Sequence, residues 1–288
     1  MKKTLFTLAL LAATSVVGAK TLATVDDSKI DSKLIDEQVK MISTQSKGQV
    51  KDTPQLRKSI LTRAVVHTVI VNEARRLKLN ETAEYKNIVA QAQADADKTG
   101  ESKKSTFKKD FASFQENLLE QAYAAYVLQQ NPVSEKDVKA LHDDISKFYK
   151  GSKEVQLAEI AVKSESEAQA VLSELKTGKK FADLVQKYSI DEAAKKNNGV
   201  NGFINLKDME VGAPKLYAAV KDLKKGQYTQ QPLVAGDVAV VFMVHDLRDS
   251  KVPEFSKMKD MLTAQLNDRR VSQSIDALIK KAKIKINE

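Results

Sequence analysis

The chain has 288 residues, 42% of them hydrophobic, and a formal net charge of +9 at pH 7. This length allows one large domain or two modest ones, and the hydrophobic content excludes a wholly disordered chain. The charge comes from lysines scattered among 38 acidic residues, without an arginine-rich arm, so we predict no nucleic-acid partner. Cysteine is absent, which excludes disulfides, thiolate nucleophiles and cysteine-based zinc sites.

The first nineteen residues have the layout of a secretory signal peptide. A cationic MKK start precedes an apolar run from Leu5 to Val17, and small residues follow at Val17–Ala19. The run is shorter than the ~20 apolar residues that span a bilayer, which argues against an uncleaved anchor. We therefore predict an exported protein, with the periplasm as the preferred destination, cleavage after Ala19 and no permanent membrane span.

Helical patterns dominate the chain up to residue 152. The alternation in Thr21–Ile30 predicts a short strand pair, and either Asp31 or Ser32 can cap the helix that follows. Amphipathic patterns then predict four further helices: after Pro54, over Glu81–Ala96, over Phe107–Gln130, and after the N-cap Ser134. Asp137, three residues after that serine, gives only an approximate capping box.

The pattern changes at Val155. Val155–Val162 predicts a strand, and helices are expected over Glu165–Thr177 and within GKKFADLVQKYS. The segment KKNNGVNGF predicts a loop, Pro214–Leu223 a helix, and QQPLVAGDVAVVFMVHDLRD a strand–turn–strand. Pro253 opens a last amphipathic helix. The tail AKIKINE alternates again, as expected of an edge strand that pairs with the first strand of the mature chain.

These patterns predict an α+β protein in which a small antiparallel sheet, packed with helices, interrupts a helical domain. The predicted segments are a signal peptide over 1–19, a helical domain over 20–152 and a sheet-containing domain over 153–249. A C-terminal helix over 250–288 completes the helical domain, because neither helical segment can bury its apolar face alone.

The segment 155–246 resembles a parvulin-type (PpiC-like) peptidyl-prolyl cis-trans isomerase domain. The family pattern Phe-Ala-x-Leu, then Ser-x-Asp, then Gly-Gly-x-x-Gly-Trp-Phe is met in part. The matching residues are Phe181, Ala182, Leu184, Ser189, Asp191, Gly199 and Gly202, with Asn198 in place of the first Gly and Phe203 in place of the Trp. The flanks, including ILTRAVVHTVIVNEARRLKL and ALIKKAKIKI, resemble the helical chaperone portions of exported SurA-like and PrsA-like foldases.

The resemblance implies an exported folding factor that binds unfolded or outer-membrane client polypeptides. Its chemistry is rotation about X–Pro bonds, whose barrier of ~18–20 kcal/mol makes uncatalysed exchange slow. The family performs this rotation without covalent chemistry, so we expect no cofactor and no metal. Pairing of the terminal helices also favours a homodimer formed by exchange between chains.

Two histidines of the family site have no counterpart in this sequence. The family string Ala-Arg-His-Ile-Leu-Val aligns with LAEIAV, which puts Glu159 in the place of the first His. The second aligns with Val240. We expect structural or exposed roles for the three histidines present, His67, His142 and His245.

Two carboxylates are the candidate catalytic residues. Asp191 matches the family's Cys/Asp position and either faces the substrate amide or caps a turn. Glu159 has three open interpretations: it faces water, it contacts peptide, or it substitutes for the histidine in catalysis. The last is the weakest, because a carboxylate repels negative charge near a carbonyl oxygen.

The resemblance places the substrate-binding positions at Met209, Leu216 and Asn201, with Phe203 in the Trp place as a residue of the pocket wall or of the core. Leu216 fits ordinary helix core equally well. Two function classes remain beside each other: an isomerase with an atypical and weakened site, and a holdase chaperone without isomerase activity. A surface antigen or adhesin built on the same fold is a third.

Overall fold

A computed structural model describes residues 20–287, so the predicted signal peptide lies outside the described residues. The described chain divides into two compact units, one formed by 20–138 with 260–287 and the other by 139–259. The domain boundaries predicted from the sequence lie near residues 152 and 250. The functions assigned to the segments between them remain predictions. Within 20–287, none of the helices is long and apolar enough to cross a membrane.

The elements are mostly helices, with two small antiparallel sheets. The first half of the chain contains β1 (Thr21–Val25), β2 (Ser28–Asp31), α1 (Ser32–Gln45), α2 (Pro54–Arg76), α3 (Ala83–Thr99), α4 (Phe107–Gln130) and α5 (Glu135–Tyr149). The second half contains β3 (Lys153–Val162), α6 (Glu165–Lys176), α7 (Phe181–Tyr188), α8 (Glu192–Lys196), β4 (Val200–Asn205), α9 (Leu206–Gly212), α10 (Pro214–Val220), β5 (Leu233–Ala235), β6 (Val238–Asp249), α11 (Phe255–Lys281) and β7 (Ile284–Ile286). The predicted α+β class is confirmed.

The sheet of the first unit joins the two ends of the described chain. Its order is β2-β1-β7, so β1 is central, and Ala23 pairs with Ile286 in antiparallel register. The predicted pairing of the tail with the first strand is therefore confirmed. Asp31 ends β2 and caps α1, since its carboxylate accepts a hydrogen bond from the Leu34 N–H at 3.0 Å.

The core of the first unit forms where α1 and α2 pack on β1. Its buried members include Val25, Ile35, Ile60 and Ala64, and the side chains of Leu278 and Ile279 pack against them from α11. The end of the C-terminal helix therefore packs on the N-terminal helices, as its apolar stripe predicts.

The second unit is built on a four-stranded sheet of order β4-β3-β6-β5, with every pair antiparallel. One face of β3 presents Ala158, Ile160 and Val162 to a core completed by α6 and α7. On the other face, Val155 and Leu157 belong to a second apolar cluster, whose remaining buried members are Met209, Val220 and Val244.

The predicted loop KKNNGVNGF is wrong at both ends, because Lys195 and Lys196 belong to α8 and the residues from Val200 onward belong to a strand. Val200–Asn205 forms β4, an edge strand that pairs with β3 through Val155↔Ile204 and Gln156↔Phe203. Its glycine and asparagines lower its intrinsic β propensity, so the strand depends on pairing with residues about forty-five positions earlier in the chain. The short helices α8 and α9 are also additional to the sequence prediction.

Candidate functional site

The candidate site lies on the face of the β3–β6 sheet that carries Glu159. Side chains alternate along a strand, so Glu159 shares its face with Leu157 and Ala161. Across the antiparallel pair, Glu159 lies opposite Phe242 and Ala161 lies opposite Val240. On this face α9 and α10 cover the Leu157 end, and the residues of β3 and β6 next to Glu159 are apolar.

The turn before β4 is held against the backbone of Glu159. The Glu159 N–H donates to the Gly199 carbonyl oxygen at 2.9 Å. A Cβ atom on Gly199 would lie 2.5 Å from the Glu159 carbonyl oxygen, and Gly199 also has a positive φ of 78°. Only glycine meets both conditions. Asn198, in the place of the family's first Gly, has φ 56°, which asparagine tolerates better than most residues.

Glu159, Asn201 and Asp191 form a polar trio on this face. The Asn201 side-chain amide hydrogen-bonds to the Glu159 carboxyl, and Asp191 is close enough for its charge to act on that carboxyl. Burial raises the pKa of Glu159, the Asn201 hydrogen bond opposes part of this increase, and the Asp191 charge adds to it. The carboxyl is half-buried, so it is neither a fully solvated surface group nor a core group.

Asp191 caps helix α8. Its carboxylate accepts hydrogen bonds from the Ala193 N–H at 2.8 Å and the Ala194 N–H at 3.2 Å, and the residue is exposed. The capping interpretation from the sequence therefore matches the structure. Its contact with a substrate amide stays a prediction.

Met209 and Leu216 lie together in the second apolar cluster, with Leu157. Met209 is 3% exposed, whereas Leu216 is half-buried, so only Leu216 offers surface to a ligand. Phe242, which the sequence reasoning missed, packs against this cluster and also lies opposite Glu159. The signal for Phe242 is its spacing of two residues from Val240 on a predicted strand.

Phe203 lies apart from this cluster. It is the cross-strand neighbour of Gln156, and the Arg248 guanidinium lies over its ring with Cζ 3.8 Å from the centroid. This is a cation–π contact on the sheet. The other proposed pocket residues, Met209 and Leu216, belong to the second apolar cluster and Asn201 to the polar trio.

The three histidines lie elsewhere. His67 is 5% exposed, with Nε2 3.3 Å from Glu116 Oε2 and Nδ1 2.8 Å from Glu120 Oε1. Burial lowers the pKa of His67, but its bonds to the two carboxylates outweigh this and raise the pKa to about 9. His142 Nε2 lies 2.9 Å from the Pro253 carbonyl oxygen, and His245 is exposed.

The polar trio and the second apolar cluster contain acidic, amide and apolar side chains. A hydroxyl or thiol nucleophile beside a histidine base is not part of the polar trio or the second apolar cluster. Across residues 20–287, no group of three or more histidine, aspartate or glutamate side chains is placed to hold a metal ion.

Comparison with known proteins assigns this sheet and its helices to a domain family. Residues 151–246 match the family model described as the rotamase, PPIC-type PPIase domain. The chain therefore carries a PpiC-type, or parvulin-type, peptidyl-prolyl cis-trans isomerase domain.

Its relatives extend beyond that domain. The chain is 27% identical over 282 residues to a probable parvulin-type peptidyl-prolyl cis-trans isomerase of Bordetella pertussis, covering 96% of this chain and 98% of the relative. It is 24% identical to the foldase protein PrsA of Clostridium botulinum, covering 93% and 88%. A crystal structure of the peptidylprolyl isomerase PrsA from Bacillus cereus matches with 20% identity and a TM-score of 0.42, covering 94% and 95%.

Proposed function

We propose that this chain is an exported protein-folding factor that binds unfolded polypeptides and has weak or no isomerase activity. The observation that carries the proposal is the sheet face of the PpiC-type domain. Glu159 and Val240 lie on that face, and in our alignment with the family pattern they take the places of its two histidines. The apolar side chains around them remain, so the face keeps a surface for peptide while its polar chemistry differs.

The difference matters for rotation about the X–Pro bond. Isomerisation needs groups that favour the twisted amide over the planar one. Twisting the X–Pro bond leaves a lone pair on the proline nitrogen, so a side chain that donates a hydrogen bond to this nitrogen favours the twisted amide. An ionised carboxylate only accepts hydrogen bonds and cannot make this contact. The rate of cis–trans isomerisation at the X–Pro bond is therefore expected to be low or equal to the uncatalysed rate.

Holding client chains without isomerising them is a second function, favoured by helix α4. Phe107, Phe111 and Phe114 form a row with ring centroids 5.1 and 5.7 Å apart, and Phe114 is 37% exposed. Such an aromatic row offers apolar surface to an unfolded chain. Outer-membrane proteins, which are rich in aromatic side chains at their interfaces, are a suitable client class.

Export and dimerisation are parts of the same proposal. The pattern of residues 1–19 supports a signal peptide and a periplasmic location. The β1–β7 pairing joins distant parts of the chain, and the same pairing made between two copies would give an exchanged homodimer. Light scattering on the purified chain without residues 1–19 would show about twice the mass of one such chain.

Suppression of aggregation tests the folding-factor function. The purified chain without residues 1–19 is mixed with a urea-denatured outer-membrane barrel protein, and light scattering is followed on dilution. We expect reduced scattering at equimolar protein, with a weaker effect for Phe111→Ser combined with Phe114→Ser. The matched control is Lys108→Ser, an exposed change on the same helix. Scattering equal to that of the client alone would contradict the proposal.

A further inference from the structure

A cavity of about 300 Å³ opens between the helices of the first unit. Its walls come from the end of α2, the turn at Leu79–Glu81, the start of α3 and the first half of α4. The residues that line it include Arg75, Tyr85, Ala112, Gln115, Glu116 and Leu119. This volume is at the small end of the range for ligand sites, so it suits one side chain of a larger partner.

The polar part of the cavity is held by ion pairs. Arg75 donates from Nη2 to Glu116 Oε1 at 2.8 Å, and His67 Nε2 lies 3.3 Å from Glu116 Oε2. His67 and Glu116 are 5% and 8% exposed, whereas Arg75 is exposed. Moving the buried carboxylate would leave its partners unpaired, which is costly away from water. The two charged groups that line the cavity therefore have fixed positions before any ligand arrives.

The rest of the cavity offers apolar surface. Leu119 is 2% exposed, and Ala112 contributes only a methyl group. Tyr85 is 9% exposed, and its hydroxyl donates to the Gln115 carbonyl oxygen at 3.1 Å, which fixes the ring against α4. Aromatic rings pack well on such a ring in offset or edge-to-face arrangements. The cavity thus combines a polar end with a surface for an aromatic ring.

The balance of charge favours a neutral ligand group. Of the described side chains that line the cavity, Arg75 and Glu116 are the charged ones. His67, whose pKa is raised to about 9, is paired with both Glu116 and Glu120, so the positive and negative groups of the network cancel. A carboxylate entering the cavity would meet the like charge of Glu116, and an ammonium group that of Arg75.

Hydrogen bonding narrows the choice further. A phenol hydroxyl both accepts and donates, so it satisfies the Arg75 guanidinium and the Glu116 carboxylate together. An indole N–H only donates, and a phenyl ring does neither. A phenyl ring would also displace water from these charged groups without replacing its hydrogen bonds.

We propose that this cavity binds a tyrosine side chain of a client polypeptide, with the ring against Tyr85 and Leu119 and the hydroxyl between Arg75 and Glu116. Arg75 distinguishes tyrosine from phenylalanine, because it supplies a donor that only the hydroxyl accepts. The site uses a different face of α4 from the aromatic row. The inference rests on the proposed function, which makes client chains the source of the tyrosine.

Titration with two capped amino acids tests the proposal. The probes are N-acetyl-tyrosinamide and N-acetyl-phenylalaninamide, which are uncharged at neutral pH and differ only in the hydroxyl. NMR chemical shifts of the isotope-labelled chain without residues 1–19 give the Kd for each probe. One hydrogen bond to a charged group corresponds to roughly tenfold tighter binding of the tyrosine probe. The responding amides are expected to include those of Ala112 and Gln115.

Two variants with matched controls locate the binding. Ala112→Leu fills the cavity and is expected to abolish binding of the tyrosine probe, whereas Ala125→Leu, at an exposed position of the same helix, keeps it. Arg75→Leu is expected to remove the preference for tyrosine over phenylalanine. Its control is Arg76→Leu, because Arg76 is also exposed and forms an ion pair with Glu73. Circular dichroism confirms that each variant is folded.

The outcomes separate this inference from the proposed function. Equal affinity for the two probes, or tyrosine binding that Ala112→Leu leaves unchanged, overturns the tyrosine site while the aggregation assay still decides the folding-factor function. A chain that binds the tyrosine probe selectively but does not reduce the scattering of a client overturns the folding-factor function, and with it the client as the source of the tyrosine.

Discussion

Replacing Gly199 with alanine should destabilise the second unit more than the same change at a comparable glycine. The new Cβ atom would lie 2.5 Å from the Glu159 carbonyl oxygen and 3.1 Å from both the Glu159 nitrogen and Val185 Cγ2. No flexible side-chain end takes up the closest clash, since the atom concerned is backbone. The turn must therefore move away from β3.

The magnitude combines two effects. A side chain at φ 78° costs about 1–2 kcal/mol for the left-handed conformation alone. Moving the turn also weakens the hydrogen bond from the Glu159 N–H to the Gly199 oxygen, for about 1 kcal/mol more. We expect Gly199→Ala to cost roughly 2–4 kcal/mol in total.

Gly226→Ala is the matched control. Gly226 has φ 81°, but a Cβ atom there meets nothing within 4 Å, so only the conformational cost of about 1–2 kcal/mol applies. Urea unfolding of the chain without residues 1–19 gives the free-energy differences, and hydrogen exchange reports on the Glu159 amide. Faster exchange at this amide is expected for Gly199→Ala only. Equal destabilisation by the two variants, with unchanged exchange, would refute the close-approach argument.

Three further predictions concern stability and binding. The pKa of His67, raised to about 9, implies a stabilising contribution that is complete below its unfolded value near 6.5 and is lost as the pH rises through 9. The stability difference between wild type and His67→Gln should therefore shrink by up to about 3 kcal/mol between pH 6 and 10, and a constant difference in urea titrations would contradict it. Met209→Ala should cost about 2–5 kcal/mol because the side chain is buried, and unchanged urea stability would contradict its core role. Leu216→Ala should weaken capped-peptide binding several-fold with a smaller stability loss, and calorimetry showing unchanged affinity would exclude it from the peptide surface.

Local patterns predict much of the first unit. Helix α4 has the predicted bounds Phe107–Gln130, because apolar side chains repeat along its whole length. The approximate capping box at the start of α5 is also real: the Ser134 N–H donates to Asp137 Oδ2 at 3.0 Å, and the Asp137 N–H to Ser134 Oγ at 3.2 Å. Aspartate reaches the N-cap N–H despite its shorter side chain.

Features that depend on distant pairing could not be predicted in this way. Strand β4 is interrupted by two asparagines and a glycine, and the helices α8 and α9 are too short for an amphipathic repeat. The contact between Glu159 and Asn201 depends on the β3–β4 register, which shifts between Gln156 and Ala158. A one-residue change in register would send these side chains to opposite faces. The sequence therefore identifies the members of the polar trio but not their contact.

The central claim is that Glu159 and Val240 leave this PpiC-type domain with little isomerase activity while its peptide surface remains. The most direct measurement is the cis-to-trans rate of a proline peptide in a protease-coupled assay, with the purified wild type and with Glu159→His combined with Val240→His. Circular dichroism confirms that the double variant is folded. The account predicts a wild-type rate near the uncatalysed background and a clearly faster double variant. A wild-type rate well above background that the double variant does not exceed would contradict it.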